Sequence, residues 1–208
     1  MVLAAAPAAA QVSVLPVTPA VEGFSPHIVV TGLSPGAAVR VHAYGSFGHW
    51  DEDKALGRWV ETFKTYHAWA DVKADRHGRV DMDRYRVTSG TYRGADGYGL
   101  LWSMRKPTDP DVTGAAPNGP TGPNPKPGTT ALLVTQGKRV VGHGKLTYVD
   151  PPDLTVVPVA DGRLNGVFAA PAGVKRLPTI ILLHGSEGGG AAEAHDQAVR
   201  FAGKGYAA

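Results

Sequence analysis

The segment His184-Gly185-Ser186-Glu187-Gly188-Gly189-Gly190 is where this sequence concentrates groups able to do chemistry. Glycines crowd it, and glycine lets main chain come close to a bound group that a Cβ would hold off. A turn of this kind can aim backbone N–H groups at a developing negative charge, which makes it an oxyanion-stabilising element. The N–H of Ser186 is the expected donor, with Gly185 leaving room for the approach. Glycine-rich turns also cradle phosphates. Here, however, the Gly-Lys-Ser/Thr end of a P-loop is absent and no Gly-x-Gly-x-x-Gly fingerprint is spelled.

Two flanking elements must position such a turn. Thr179–Leu183 is an apolar run without alternation, which reads as a strand covered on both faces, and residues from Ala191 onward read as a helix. That helix would present its N-terminus and positive dipole end to the same region. Upstream, Leu154–Ala160, an Asp161-Gly162 turn and Arg163–Pro171 read as a hairpin. Hairpin, strand, glycine turn and helix in this order are those of an α/β-hydrolase, where the turn after the third strand supplies one oxyanion N–H. Ser186 is not expected to be the nucleophile, because the Gly-x-Ser-x-Gly elbow is not spelled around it. His184 and Glu187 stand near it along the turn, but that places no base on its hydroxyl. His195 and Asp196 read as a solvated helix face.

Composition narrows the rest. With 27 glycines and 17 prolines in 208 residues, short strands and turns are favoured over a helical bundle. The balance of 21 basic against 18 acidic residues, a net of +3 with the charges scattered, does not suggest nucleic acid as a partner. There is no cysteine, so disulfides and thiolate metal sites are excluded within these residues. His42, His49, His67 and His77 show no paired ligand spacing, so no metal and no cofactor is expected. No segment approaches the roughly 20 apolar residues of a membrane helix. The opening MVLAAAPAAAQ ends in an Ala-x-Ala pattern before Gln11, so residues 1–11 read as a signal-peptide remnant or a disordered leader. The first reading implies a periplasmic or secreted protein, the second a cytoplasmic one.

Between the leader and residue 150 the pattern is that of a β-sandwich. His27–Leu33 and Ala37–Gly45 read as a hairpin about Ser34-Pro35-Gly36, with Val39, Val41 and Ala43 facing inward and Arg40, His42 and Tyr44 outward. His67–Asp75 and Arg79–Val87 read as a second hairpin, Gly97–Met104 as a strand, and Thr129–Asp150 as a strand pair turning at Gln136-Gly137-Lys138. Leu56, Trp59, Val60 and Phe63 have helical spacing. The run 106–128, with seven prolines and four glycines in 23 residues, reads as a long surface loop. Trp50, Trp59 and Trp69 are read as core residues; found exposed, they would instead support a binding face.

The stretches VVTGLSPGAAVRVHA, ADVKADRHGRVDM and GTYRGADGYGLLWSM, followed by the late strand and glycine turn, resemble the acyl-CoA thioesterase and bile acid-CoA:amino acid N-acyltransferase family. The resemblance runs over residues 12–208 and is most specific at TGLSPG and GLLWSM. It implies a mainly β fold, with an immunoglobulin-like β-sandwich over residues 12–150. The start of an α/β-hydrolase domain (hairpin, one parallel strand, first helix) then follows over 151–208. It further implies attack on an acyl-CoA thioester by a serine or cysteine, with an acyl-enzyme passed to water or to an amino acid. The nucleophile, its acid and its histidine would then lie beyond residue 208, so the 208 residues alone would be inactive. Only the oxyanion turn, Gly185 and Ser186, carries over by position. His184 stands where the family usually has an apolar residue. Two alternatives are a secreted β-sandwich that binds without chemistry, and a periplasmic esterase of substrates other than coenzyme A thioesters.

Overall fold

In the computed structural model, which describes residues 11–15, 20–21, 25–113, 115, 123–162, 164–183 and 190–208, the chain divides into two units. Among the described residues, the first unit lies within 11–148, and the second takes Val21 with those from 149 onward.

Alternating β-branched and polar residues build the first unit. Its elements are β1 (Gln11–Leu15), β2 (Ala20–Val21), β3 (His27–Thr31), β4 (Ala38–Asp53), β5 (Arg58–Lys73), β6 (Val80–Asp81), β7 (Ser89–Gly90), α1 (Gly99–Trp102), β8 (Thr129–Gln136) and β9 (Arg139–Val149). A three-stranded sheet runs β1-β3-β6 and a six-stranded sheet runs β2-β9-β8-β4-β5-β7. Ile28, Val30 and Val80 of the small sheet share one core with Val39, Val41, Ala43, Ala68, Ala70, Val72, Leu132, Val134 and Leu146 of the large one. This is the expected β-sandwich. The pattern of period two that places Val39, Val41 and Ala43 inward is what specifies the register.

Four local expectations are corrected. His27–Leu33 and Ala37–Gly45 are not a hairpin, because β3 pairs with β1 and β6 while β4 pairs with β5 and β8. The Ser34-Pro35-Gly36 turn is a corner between the two sheets. His67–Asp75 and Arg79–Val87 behave alike: the turn closes through Asp75 N–H to the Arg79 carbonyl at 2.8 Å, but β6 leaves for the small sheet. Leu56–Phe63 is no helix; from Arg58 it is extended, paired residue by residue with β4. Conversely, Gly97–Met104 holds the short helix α1, where Gly99 lies so close to the Tyr92 ring that a Cβ would collide with it. The β8/β9 hairpin matches expectation, turning through Gly137 at a φ of 59°.

The second unit holds β10 (Leu154–Ala160) paired antiparallel with β11 (Asn165–Pro171), and α2 (Ala191–Ala202). Ala198, Val199 and Ala202 of α2 pack on Ala169, with Leu154 and Val167 beside them. The apolar run Thr179–Leu183 departs from expectation. Thr179 makes a single parallel bridge to Ala207, and Ile180 N–H donates to the Ala207 carbonyl at 2.8 Å. Ala208 in turn exchanges backbone hydrogen bonds with Ala169 of β11 at 2.8 and 2.9 Å. The chain's last residues therefore lie between β11 and Thr179. Beyond Ile180 the run forms no strand, and Ile181 and Leu183 stand 80% and 88% exposed.

Candidate functional site

Gly185 and Ser186, the oxyanion-turn residues read from the sequence, lie outside the described residues, as do His184, Glu187, Gly188 and Gly189. What frames them is described. Thr179–Leu183 precedes the turn and α2 follows it, with Gly190 as its N-cap residue and Glu193 in the first turn. Between the hairpin, that run and the helix is a cavity of about 520 Å³ lined largely by Val159, Leu164, Phe168, Ile181, Leu183 and Ala198. Gly190 also lines it, so an apolar chamber borders the end of the glycine turn. The arrangement can hold an apolar group beside a helix N-terminus. His195 and Asp196, 3.4 Å apart with side chains 39% and 63% exposed, occupy a solvated face as expected.

Among the described residues, the most heavily buried polar cluster is in the first unit. His42 Nδ1 lies 3.0 Å from His67 Nε2, and His42 Nε2 lies 3.1 Å from the Thr135 hydroxyl. The register places Tyr44 opposite His67, and their rings stack at 4.3 Å. Burial holds His42 down to about 3, helped by His67 and by Arg40, and burial with Arg40 holds His67 down to about 4. Burial pushes the Tyr44 hydroxyl up to about 12. Both rings are therefore neutral at physiological pH. A single N–H fills the gap between them, and a second proton there would face the first. Beside them Arg40 donates from Nε and Nη2 to the two Asp71 oxygens at 2.7 and 3.0 Å and lies 3.8 Å over the Trp69 ring. Arg40 keeps the Asp71 carboxyl below the usual carboxylate range, and Ser89 adds to this. His42, Tyr44, His67 and Thr135 are all buried, so the network is read as support for the sheet.

Sequence reasoning missed this group for a definable reason. The partners of His42 stand 25 and 93 residues away along the chain, and alternation assigned His42 and Tyr44 to an exposed face that the fold buries. A second trio was also missed. His27 Nε2 lies 3.0 Å from Asp81 Oδ1 and 3.8 Å from Asp83 Oδ2, and one ligand atom from each falls within 4.8 Å of the others. These are ligand types a divalent cation accepts, but Arg79 at 3.2 Å from Asp81 already supplies a positive charge. The tryptophans divide. Trp69 donates from its ring to the Asp111 carbonyl at 2.7 Å, whereas Trp50 and Trp59 are 61% and 65% exposed.

Residues 25–121 match the acyl-CoA thioester hydrolase/BAAT N-terminal region. The chain is 30% identical to acyl-coenzyme A thioesterase 3 of Mus musculus, over 87% of this chain and 38% of that protein. It is 29% identical to acyl-coenzyme A thioesterase 1 of Homo sapiens, over 86% of this chain and 39% of that protein. A peroxisomal succinyl-coenzyme A thioesterase of Mus musculus is 29% identical over 78% of this chain and 35% of its own length. The chain thus spans less than two-fifths of the length of these relatives. No described helix is long and apolar enough to cross a membrane. The matched region contains β3 to α1 with the corners between the two sheets, and by it and these relatives the chain belongs to the acyl-CoA thioester hydrolase/BAAT family.

Proposed function

We propose that this chain supplies the N-terminal β-sandwich and the oxyanion turn of an enzyme that cleaves acyl-CoA thioesters through an acyl-enzyme. The observation that carries the reading is the similarity to thioesterases over 87% of the chain, which extends past the sandwich toward the second unit. In this reading Ser186 offers its backbone N–H to the tetrahedral oxyanion, Gly185 gives the chain room, and the positive end of α2 adds to the field. The apolar cavity bordering Gly190 suits the acyl chain. The nucleophile, its histidine and its acid come from residues outside these 208. Transfer to water or to an amino acid is decided there too.

Thiol release from a panel of acyl-CoAs tests this. The 208-residue chain alone is expected to show no turnover above background, and the chain extended through its downstream reading frame is expected to turn over. In the extended protein Ser186→Ala keeps the N–H and should leave kcat within a few-fold. Ser186→Pro removes it and should lower kcat by roughly 10²–10³. Turnover by the 208 residues that Ser186→Ala abolishes would overturn the assignment.

A further inference from the structure

The strands β4 and β5 outrun the sheet that contains them. They pair with each other from Ala38↔Lys73 to Asp53↔Arg58, but β8 accompanies β4 only from Arg40 to Gly45. β7 reaches β5 only at Ala70 and Asp71. Beyond Ser46↔Thr65, where Thr65 still donates to Asn124 of the proline-rich segment at 2.6 Å, the pair continues, among the described residues, as a two-stranded ribbon.

Its two faces differ. On one, Asp51 accepts from Thr62 at 2.6 Å and is met by Lys64 at 2.9 Å and His49 at 3.4 Å, so charge is compensated locally. The other carries Trp50 opposite Glu61, Glu52 opposite Trp59, and Phe63 opposite Gly48. Trp50, Trp59 and Phe63 are 61%, 65% and 52% exposed. Neither Glu52 nor Glu61 has an ion pair among the described residues. Lys54 sits in the turn, and Arg58 is opposite Asp53 on the compensated face.

The same face supplies its own precedent ten residues along β5. Trp69-Ala70-Asp71 places a ring and a carboxylate two residues apart, and Arg40 fills the space, 3.8 Å over the ring and doubly bonded to the acid. Trp59-Val60-Glu61 repeats that spacing on the same face of the same strand. Opposite Glu61, however, stands Trp50 where Arg40 stands opposite Asp71. Ring and acid are present and the cation is not. An aromatic surface with unpaired carboxylates attracts a guanidinium through the ring quadrupole and through charge, and it disfavours a second copy of itself, which would oppose acid to acid.

We propose that the Trp50/Trp59/Phe63 face of the ribbon is a docking surface for an arginine-bearing segment of a partner polypeptide, with a guanidinium seated against Trp59 and Glu61 as Arg40 is seated against Trp69 and Asp71. The assignment does not depend on the thioesterase reading. The probe is a synthetic eight-residue peptide alternating arginine and valine, with a citrulline-for-arginine version that keeps shape and loses charge. Binding is measured by calorimetry and by tryptophan fluorescence on the 208-residue chain. The arginine peptide is expected to bind at least about tenfold more tightly than the citrulline peptide. Glu52→Gln with Glu61→Gln should weaken it by about tenfold, and Trp50→Ser with Trp59→Ser should abolish it, with unchanged circular dichroism because neither ring is in the core. Equal binding of the two peptides, indifference to either double substitution, or no binding at millimolar peptide would each overturn the proposal. So would a dimer seen by sedimentation and lost with the tryptophans, which would make the occupant a second copy.

Discussion

Acidification should uncouple this fold at a known place. His42 and His67 are neutral in the folded chain, held down to about 3 and about 4 chiefly by burial, while in the unfolded chain each titrates near the ordinary value of about 6.5. Between those limits the unfolded state binds more protons, so stability falls as pH drops below about 6.5 and is fully present above it. At pH 5 the linkage is about 2 kcal/mol per ring, about 4 for the pair, and it hardly depends on the folded values because both lie below 5. With a urea slope of about 2 kcal/mol per molar, the midpoint should move down by about 2 M between pH 7 and pH 5. His67→Gln removes one of the two titrations, and its pH 7 to pH 5 shift should be about half as large. Equilibrium urea unfolding followed by tryptophan fluorescence reads both. A shift of the same size in His67→Gln and in the parent chain would refute the reasoning, since the histidines would then not be the groups taking up protons.

Three further outcomes follow from packing. Gly78→Ala should destabilise the chain by about 2–4 kcal/mol, because Gly78 has a φ of 70° and a Cβ there would collide with the Leu33 carbonyl; thermal unfolding measures it. Leu132→Ala should cost about 2–5 kcal/mol in urea unfolding, since Leu132 is fully buried in the sandwich core. Leu183→Ala, at a side chain 88% exposed, should stay within about 0.5 kcal/mol in the same assay.

What could be read in the sequence was what is decided locally. The β8/β9 and β10/β11 hairpins and the helix α2 follow from turn chemistry and short periodic runs, and the structure has all three. Ser34-Pro35-Gly36 shows that the same signals do not say which sheet the next strand joins. Leu56, Trp59, Val60 and Phe63 had helical spacing because two of them, Trp59 and Phe63, belong to an exposed ribbon face, where no core enforces alternation. The histidine network depends on strands brought together from 93 residues apart, and no window of sequence contains it. Thr179–Leu183 read as a covered strand because its apolarity is real; among the described residues its pairing is limited to the bridge of Thr179 with Ala207, made by Pro178 and Ile180.

The position of β8 has a consequence for how the chain is made. The β4/β5 hairpin closes on itself within a few residues, a step of microseconds for hairpins generally. The other edge of β4 must wait for a strand that begins at Thr129, so Arg40 meets Thr135 only after some ninety residues have been added. During synthesis the row Val41 to Gly45 therefore offers open N–H and C=O groups on one side, next to side chains meant for the core. The protein is thus most vulnerable to mispairing until β8 has emerged from the ribosome. A nascent chain halted with residues up to 128 outside the ribosome should be handed to a chaperone, and one halted with residue 136 well outside it should not.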